Sequence, residues 1–130
     1  MVKGIDNIGI AVTNLARSLA FYEKLGFTKS YDYEADVQGC SINAGSAVLF
    51  LFQTKLPTAQ PVKRDPSLAQ NPTGLDHISF VVEDVDTIYK DLKAKGIEFQ
   101  GEPADQEWGA RLVGLKDPDG NNLYFLKYLS

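Results

Sequence analysis

The sequence predicts an α+β fold built from two tandem βαβββ modules. The main observation is an internal repeat, because a shift of 70 residues places residues 4–12 over residues 74–82 and continues without a gap to residues 26–27 over 96–97. Composition alone would give about one or two identities over so short a window. The identities observed are Gly4/Gly74, Asp6/Asp76, Ile8/Ile78, Val12/Val82 and Gly26/Gly96. The second observation is that strand and helix patterns recur in the same order in both copies.

Each copy begins with a strand rich in Ile, Val and Phe, over residues 5–12 and 75–82. Asn14 and Asp84 follow as predicted helix N-caps, since their side-chain oxygens can accept from the first free N–H groups. Each helix has an apolar face and is predicted to end at Gly26 or Gly96, where a left-handed residue is needed. Three further strands are predicted per copy, at residues 27–34, 37–43 and 47–53, and at residues 97–99, 111–116 and 123–128. The sequence DPDGN at residues 117–121 supplies the last turn.

The modules are expected at residues 4–53 and 74–130, within a single domain of residues 1–130. Residues 54–73 form the predicted linker, which is interrupted by four prolines: Pro57, Pro61, Pro66 and Pro72.

Composition indicates a small globular protein without a nucleic-acid partner. The net charge is −4, and the only adjacent basic pair is Lys63-Arg64, whereas nucleic-acid binders usually carry a basic stripe. No apolar run approaches the roughly 20 residues that cross a bilayer, and the N-terminus does not have the pattern of a signal peptide. The single cysteine, Cys40, allows no disulfide within the chain, which is typical of a reducing compartment. We therefore expect a cytoplasmic protein with no membrane partner.

Three segments together resemble the vicinal-oxygen-chelate superfamily of glyoxalases, bleomycin-resistance proteins and extradiol dioxygenases. They are IDNIGIAVTNLARSLAFYEKLGF (residues 5–27), LDHISFVVEDVDTIYKDLKAKGIEF (75–99) and EWGARLVGLKDPDGNNLYFLKY (107–128). The resemblance covers nearly the whole chain. It implies curved mixed sheets around a cavity, a small-molecule ligand and assembly as a homodimer.

The resemblance also implies where a metal would be held. In the enzymes of this family, four side chains on the first and last strands of the two modules bind a divalent ion, usually His or Gln followed by Glu. The matching positions here are Asn7, Leu49 or Phe50, His77 and Tyr124. A hydrocarbon or phenyl side chain offers no donor, and a neutral phenol or a lone amide is a poor one. We therefore expect no tightly bound metal and no cofactor.

The alternation of a strand places Ser79 and Val81 on the same face as His77, and Gly9 and Ala11 on the face of Asn7. These small residues leave room for a ligand. Phe50 and Phe52 are expected either to stack on that ligand or to belong to the core. Further aromatic candidates at the rim of the cavity are Tyr31, Tyr33 and Trp108. Arg111 is another candidate, whose guanidinium would hold either a ligand carboxylate or a surface ion pair.

Three functions remain open on these residues. The leading hypothesis is a metal-free protein that binds a small planar or aromatic molecule, similar to the bleomycin-resistance branch, where the fold sequesters an antibiotic. The first alternative is a metal-dependent glyoxalase-like lyase or isomerase, or a dioxygenase, which would need a carboxylate such as Glu107 at the metal. The second alternative is metal-free catalysis, with His77 as general base and Tyr124 as general acid.

Overall fold

A computed structural model, which describes residues 1–56 and 64–130, confirms the α+β class. The chain divides into two compact units, residues 1–59 and 60–130, and each unit contains one helix and one mixed four-stranded sheet. Part of the predicted linker, with Pro57 and Pro61, lies outside the described residues.

Module 1 consists of β1 (Ile8–Val12), α1 (Leu15–Lys24), β2 (Thr28–Glu34), β3 (Gln38–Ala44) and β4 (Ala47–Gln53). The strand order is β1-β4-β3-β2, with β1 parallel to β4 and the other pairs antiparallel. Gln53, at the end of β4, accepts a hydrogen bond of 3.0 Å from the backbone N–H of Leu15 at the start of α1. Because side chains alternate along a strand, Leu49, Leu51 and Gln53 face the helix, and Phe50 and Phe52 lie on the opposite face. We call the face without the helix the open face.

Module 2 repeats this arrangement with β5 (His77–Val81), α2 (Val85–Ala94), β6 (Ala104–Asp105), β7 (Ala110–Lys116) and β8 (Asn122–Tyr128), in the order β5-β8-β7-β6. Arg111 on β7 pairs with Asp86 on α2, which identifies the helix side of this sheet. Val113 and Leu115 therefore face the helix, and Gly114 lies on the open face with Tyr124. A short 3-10 turn at Leu68–Gln70 precedes the module's first strand.

The prediction of a strand at residues 97–99 is wrong. Only a single bridge between Phe99 and Leu115 forms there, and the edge strand β6 begins at Ala104. Gly101 has φ +130, and Pro103 lacks a backbone N–H, so the chain turns out of the sheet before it can pair along its length. The first strands also begin later than predicted, at Ile8 and His77.

The predicted helix ends are confirmed. The side chains of Asn14 and Asp84 each accept from the backbone N–H three residues ahead, both at 3.0 Å. Gly26 and Gly96 have φ values of +104 and +88 and follow the last turns of α1 and α2. The helices cover a core of apolar side chains on the strands, of which the largest fully buried ones are Val12, Ile42, Leu49, Leu51, Leu115, Leu123 and Phe125. Within the described ranges, no helix has the length and apolar character needed to cross a membrane.

Candidate functional site on the open faces

The strand register shows which of Leu49 and Phe50 occupies the position in module 1 that Tyr124 occupies in module 2. Gly9 pairs with Phe50 across β1 and β4, and its repeat equivalent, Ser79, pairs with Tyr124 across β5 and β8. Phe50 is therefore the counterpart of Tyr124 on the open face. Leu49 is 1% exposed and lies on the helix side.

The open face of module 1 has an aromatic cluster made of Tyr33, Phe50 and Phe52. The rings of Tyr33 and Phe50 meet edge to face with centroids 5.4 Å apart, and those of Phe50 and Phe52 stack at 5.8 Å. All three side chains are half-buried. Gly9 and Ala11 on the neighbouring strand are exposed and add almost no side-chain volume. The result is an aromatic surface beside an open strip, which suits contact with a flat apolar molecule.

A glycine in the adjacent strand allows the aromatic side chains to pack closely against the backbone. A Cβ at Gly39 would lie 2.6 Å from the carbonyl oxygen of Leu51 and 3.1 Å from the ring of Phe50, so no larger residue fits. Gly114 serves the same purpose in module 2, where a Cβ would lie 3.1 Å from the ring of Tyr124. Neither glycine was predicted as a site residue from the sequence, although a glycine inside a strand is itself a signal of close approach.

At the edge of the aromatic cluster, the hydroxyl of Tyr33 donates to Asp36 over 2.8 Å. This hydrogen bond lowers the pKa of the Asp36 carboxyl and raises the pKa of the Tyr33 phenol. The phenol therefore stays neutral and fixed in orientation. A polar cleft of about 350 Å³ lies next to it, lined by residues 35–38 and 53–55.

The open face of module 2 is polar by comparison. His77, which is about one-third exposed, meets the ring of Tyr124 edge to face with centroids 5.0 Å apart. The Nδ1 atom of His77 lies 2.6 Å from a carboxylate oxygen of Asp76. The corresponding pair in module 1 is also in contact, since the amide of Asn7 donates to Asp6 over 2.9 Å.

Asp76 is held in place by residues that the sequence did not single out. Its other carboxylate oxygen accepts from Asn71 over 2.8 Å and lies 3.7 Å from a guanidinium nitrogen of Arg64. The hydrogen bond to His77 is the main cause that lowers the pKa of the Asp76 carboxyl, and the bond from Asn71 and the charge of Arg64 act in the same direction. The identity of Asp6 and Asp76 in the repeat was the available signal for this role.

Tyr124 is 9% exposed, and its burial, followed by the charge of Asp76, raises the pKa of its phenol. Beside it on β8, Asn122 is 2% exposed and donates to the carbonyl of Arg64 over 2.7 Å. The carbonyl oxygen of the Asn122 side chain is buried and has no hydrogen-bond partner among the described residues.

Two of the candidate residues lie away from these features. Arg111 is on the helix side of its sheet, where it makes a bidentate pair with Asp86 at 2.8 and 2.9 Å and a third bond to Asp105 at 2.9 Å. It lines a cleft of about 270 Å³ next to the start of α2. Arg111 thus forms an ion pair, and its contact with a ligand carboxylate stays a prediction. Trp108 precedes β7, is 57% exposed and packs its ring 6.2 Å from that of Tyr128.

The positions that hold metal in related enzymes do not fit a divalent ion here. In module 1 they provide the amide of Asn7 and the phenyl ring of Phe50. In module 2 they provide the imidazole of His77 and the phenol of Tyr124, whose raised pKa keeps it neutral. Neither pair contains a carboxylate or a thiolate, and the two pairs supply a single imidazole, whereas a divalent ion needs several such ligands. Over the described parts of the chain, no group of three or more His, Cys, Asp or Glu residues is placed to hold a metal.

Comparison with known proteins agrees with this fold. Residues 4–125 match the Glyoxalase/Bleomycin resistance protein/Dioxygenase superfamily, and the chain belongs to that family. It is 29% identical to the protein YraH of Bacillus subtilis over 124 residues, which is 94% of this chain and 96% of YraH.

Solved structures of the same fold include a glyoxalase family protein from Enterococcus faecalis. It has a TM-score of 0.80, 25% identity, and coverage of 96% of this chain and 98% of that one. The fosfomycin resistance protein FosX from Listeria monocytogenes, at 17% identity, shares the fold with a TM-score of 0.73 over 97% of this chain and 93% of FosX.

Proposed function

We propose that this protein binds a small planar or aromatic molecule without a metal, and that its biological use is to sequester an antibiotic. The observation that carries the proposal is the half-buried aromatic cluster on the open face of module 1. The name of the superfamily includes bleomycin resistance, which supports an antibiotic as the ligand.

Physical reasoning favours a flat ligand. Aromatic pairs contribute about 0.5–1.5 kcal/mol beyond the area they bury, so a ring that contacts the cluster gains this from each neighbour. The cluster is already ordered by its own ring contacts and by the bond from Tyr33 to Asp36, so little side-chain entropy is lost when a ligand binds.

Isothermal titration against bleomycin and a panel of planar aromatic antibiotics tests the proposal. We expect binding to at least one of them, and a loss of about tenfold in affinity for Phe50→Leu, which removes the ring and keeps the apolar character. Phe21→Leu is the matched control, because Phe21 is also half-buried but lies on α1, on the other side of the sheet. Absence of heat and of any shift in melting temperature across the panel would contradict antibiotic sequestration.

The metal-free part of the proposal has a separate test. Elemental analysis of the purified protein is expected to find no stoichiometric Zn, Ni, Fe or Mn, and EDTA is expected to leave the melting temperature unchanged. One tightly held ion per chain, with a lower melting temperature after EDTA, would instead support a metal-dependent lyase, isomerase or dioxygenase.

A second candidate function is metal-free proton transfer, which the contact between Asp76 and His77 favours. In this reading His77 removes a proton from the bound molecule and the hydroxyl of Tyr124 donates to the oxygen that gains charge. A His77→Ala variant that binds normally but loses turnover would support it. Unchanged turnover in that variant would exclude it.

We further propose that the protein works as a homodimer in the cytoplasm. Family resemblance supports the dimer, and the single buried cysteine suits a reducing compartment. Sedimentation equilibrium at micromolar concentration tests the dimer, and a mass near 14.3 kDa throughout the range would refute it.

A further inference from the structure

The segment from Arg64 to Asp76 folds into a clamp at the start of β5. The guanidinium of Arg64 donates to the carbonyl of Pro72 over 2.7 Å and to that of Thr73 over 3.3 Å. Asn71 exchanges two hydrogen bonds of 2.9 Å with the backbone of Asp65. The clamp is tied to β8 through the bond from Asn122 to the carbonyl of Arg64.

The clamp positions Asp76, and Asp76 determines which nitrogen of His77 carries the proton. The carboxylate of Asp76 remains ionised because its pKa is lowered, and an ionised carboxylate can only accept hydrogen bonds. The Nδ1 atom of His77 at 2.6 Å must therefore be the donor. In a neutral imidazole only one nitrogen is protonated, so Nε2 becomes an acceptor.

The hydroxyl of Tyr124 is the complementary donor. Its raised pKa keeps the phenol protonated, and its ring lies against that of His77. Neither the Tyr124 hydroxyl nor Nε2 of His77 has a hydrogen-bond partner in the described part of the chain.

Asn122 places a buried amide next to His77. It pairs with His77 across β5 and β8, and its side-chain oxygen is a buried acceptor without a partner among the described residues. Its orientation is fixed, because its amide nitrogen must donate to the carbonyl of Arg64. A buried acceptor left without a donor is destabilising. Because the Asn122 oxygen is fully buried, the acceptor left for a ligand is Nε2 of His77, whose side chain is about one-third exposed.

We propose that the open face of module 2 selects planar molecules that carry an N–H or O–H donor next to a carbonyl, with Nε2 of His77 accepting from the donor and Tyr124 donating to the carbonyl. The proposal rests on the proposed function, because it narrows the class of planar molecule that the protein binds. Cyclic lactams and enolic ketones are the chemical classes that fit.

The state of His77 can be measured without any ligand, because it is the only histidine in the chain. A long-range ¹H–¹⁵N spectrum, recorded where the shifts report a neutral ring, is expected to show the Nδ1-protonated form in the native protein. Asp76→Asn is expected to lose that preference. Asp6→Asn is the matched control, since Asp6 is the repeat equivalent and bonds only to Asn7 among the hydrogen bonds identified. A native spectrum with the proton on Nε2 would overturn the proposal.

Binding is tested with three probes of similar shape by calorimetry. The compound 2-quinolinone has an N–H beside its carbonyl, 1-methyl-2-quinolinone has only the carbonyl, and indole has only the N–H. We expect 2-quinolinone to bind at least about fivefold more tightly than either, as the loss of one hydrogen bond implies. Tyr124→Phe and His77→Phe should each abolish this advantage, and Tyr128→Phe, further along β8, should not.

The outcomes separate this inference from the proposed function. If all three probes bind equally, or if only the antibiotics bind, the inference fails and the proposed function stands. If 2-quinolinone keeps its advantage in Tyr124→Phe and His77→Phe, the inference also fails. If neither the probes nor the antibiotics give heat, both fail.

Discussion

Leu49 and Phe50 are adjacent in β4 but lie on opposite faces, so replacing each should damage a different property. Leu49→Ala removes a side chain that is 1% exposed and pairs with Ile8 and Ile42 in the neighbouring strands. Deletion of such a buried side chain costs about 2–5 kcal/mol in free energy of unfolding, so we expect a loss near 3 kcal/mol and a fall in melting temperature of roughly 10 °C.

Phe50→Leu should cost far less stability. The substitution preserves most of the apolar volume and removes two ring contacts, those with Tyr33 and Phe52. Because these rings are only half-buried, each contact is worth about 0.5 kcal/mol, the low end of its usual range, and the expected loss is about 1 kcal/mol. Its effect on ligand affinity should be the larger one, because the ring itself is the contact surface. Urea unfolding followed by circular dichroism measures the first property, and titration with bleomycin measures the second.

Two results would contradict the assignment of Leu49 and Phe50 to opposite faces with different roles. Equal losses of unfolding free energy in the two variants would mean that Phe50 is a core residue and not part of an open face. Alternatively, Leu49→Ala could be titrated at a temperature where it is fully folded. If it then lost as much affinity for bleomycin as Phe50→Leu, the aromatic cluster would not be the binding surface.

Three further predictions concern individual contacts. Asn14→Ala and Asp84→Ala should each lower the unfolding free energy by about 1 kcal/mol in urea titrations, since each removes one helix cap; no loss in either would contradict the capping role. Gly114→Ala should displace the ring of Tyr124, which NMR spectra would show as shifted ring resonances. Gly4→Ala should leave these resonances unchanged, because nothing lies within 4 Å of a Cβ at Gly4. Burial raises the pKa of the Cys40 thiol, so Ellman's reagent should react with it only in urea; rapid reaction in buffer would show that the site opens.

The helices and their ends were predictable because they depend on local chemistry. An N-cap such as Asn14 acts on the N–H three residues away, and a C-terminal glycine such as Gly26 acts through its own φ. Both signals are contained in a few consecutive residues. The repeat then doubled the information, since each signal occurred twice at the same spacing.

Features that depend on distant pairing could not be predicted in the same way. The displacement of the edge strand from residues 97–99 to Ala104–Asp105 depends on whether one short segment can follow β7 past Gly101. Likewise, the choice between Leu49 and Phe50 required the register of β1 on β4, because a shift by one residue exchanges the two faces. The link from Arg64 to Asn122 spans 58 residues and has no local signature.

The two modules share the same fold but differ in the side chains on their open faces. In both, an aspartate contacts the next side chain at the start of the first strand, as Asp6 does with Asn7 and Asp76 with His77. The clamp from Arg64 to Asp76 holds the pair of Asp76 and His77 in module 2. The open face of module 2 is polar, whereas that of module 1 is aromatic. Because each property is located in a different module, substitutions at Phe50 and at His77 test the two open faces independently.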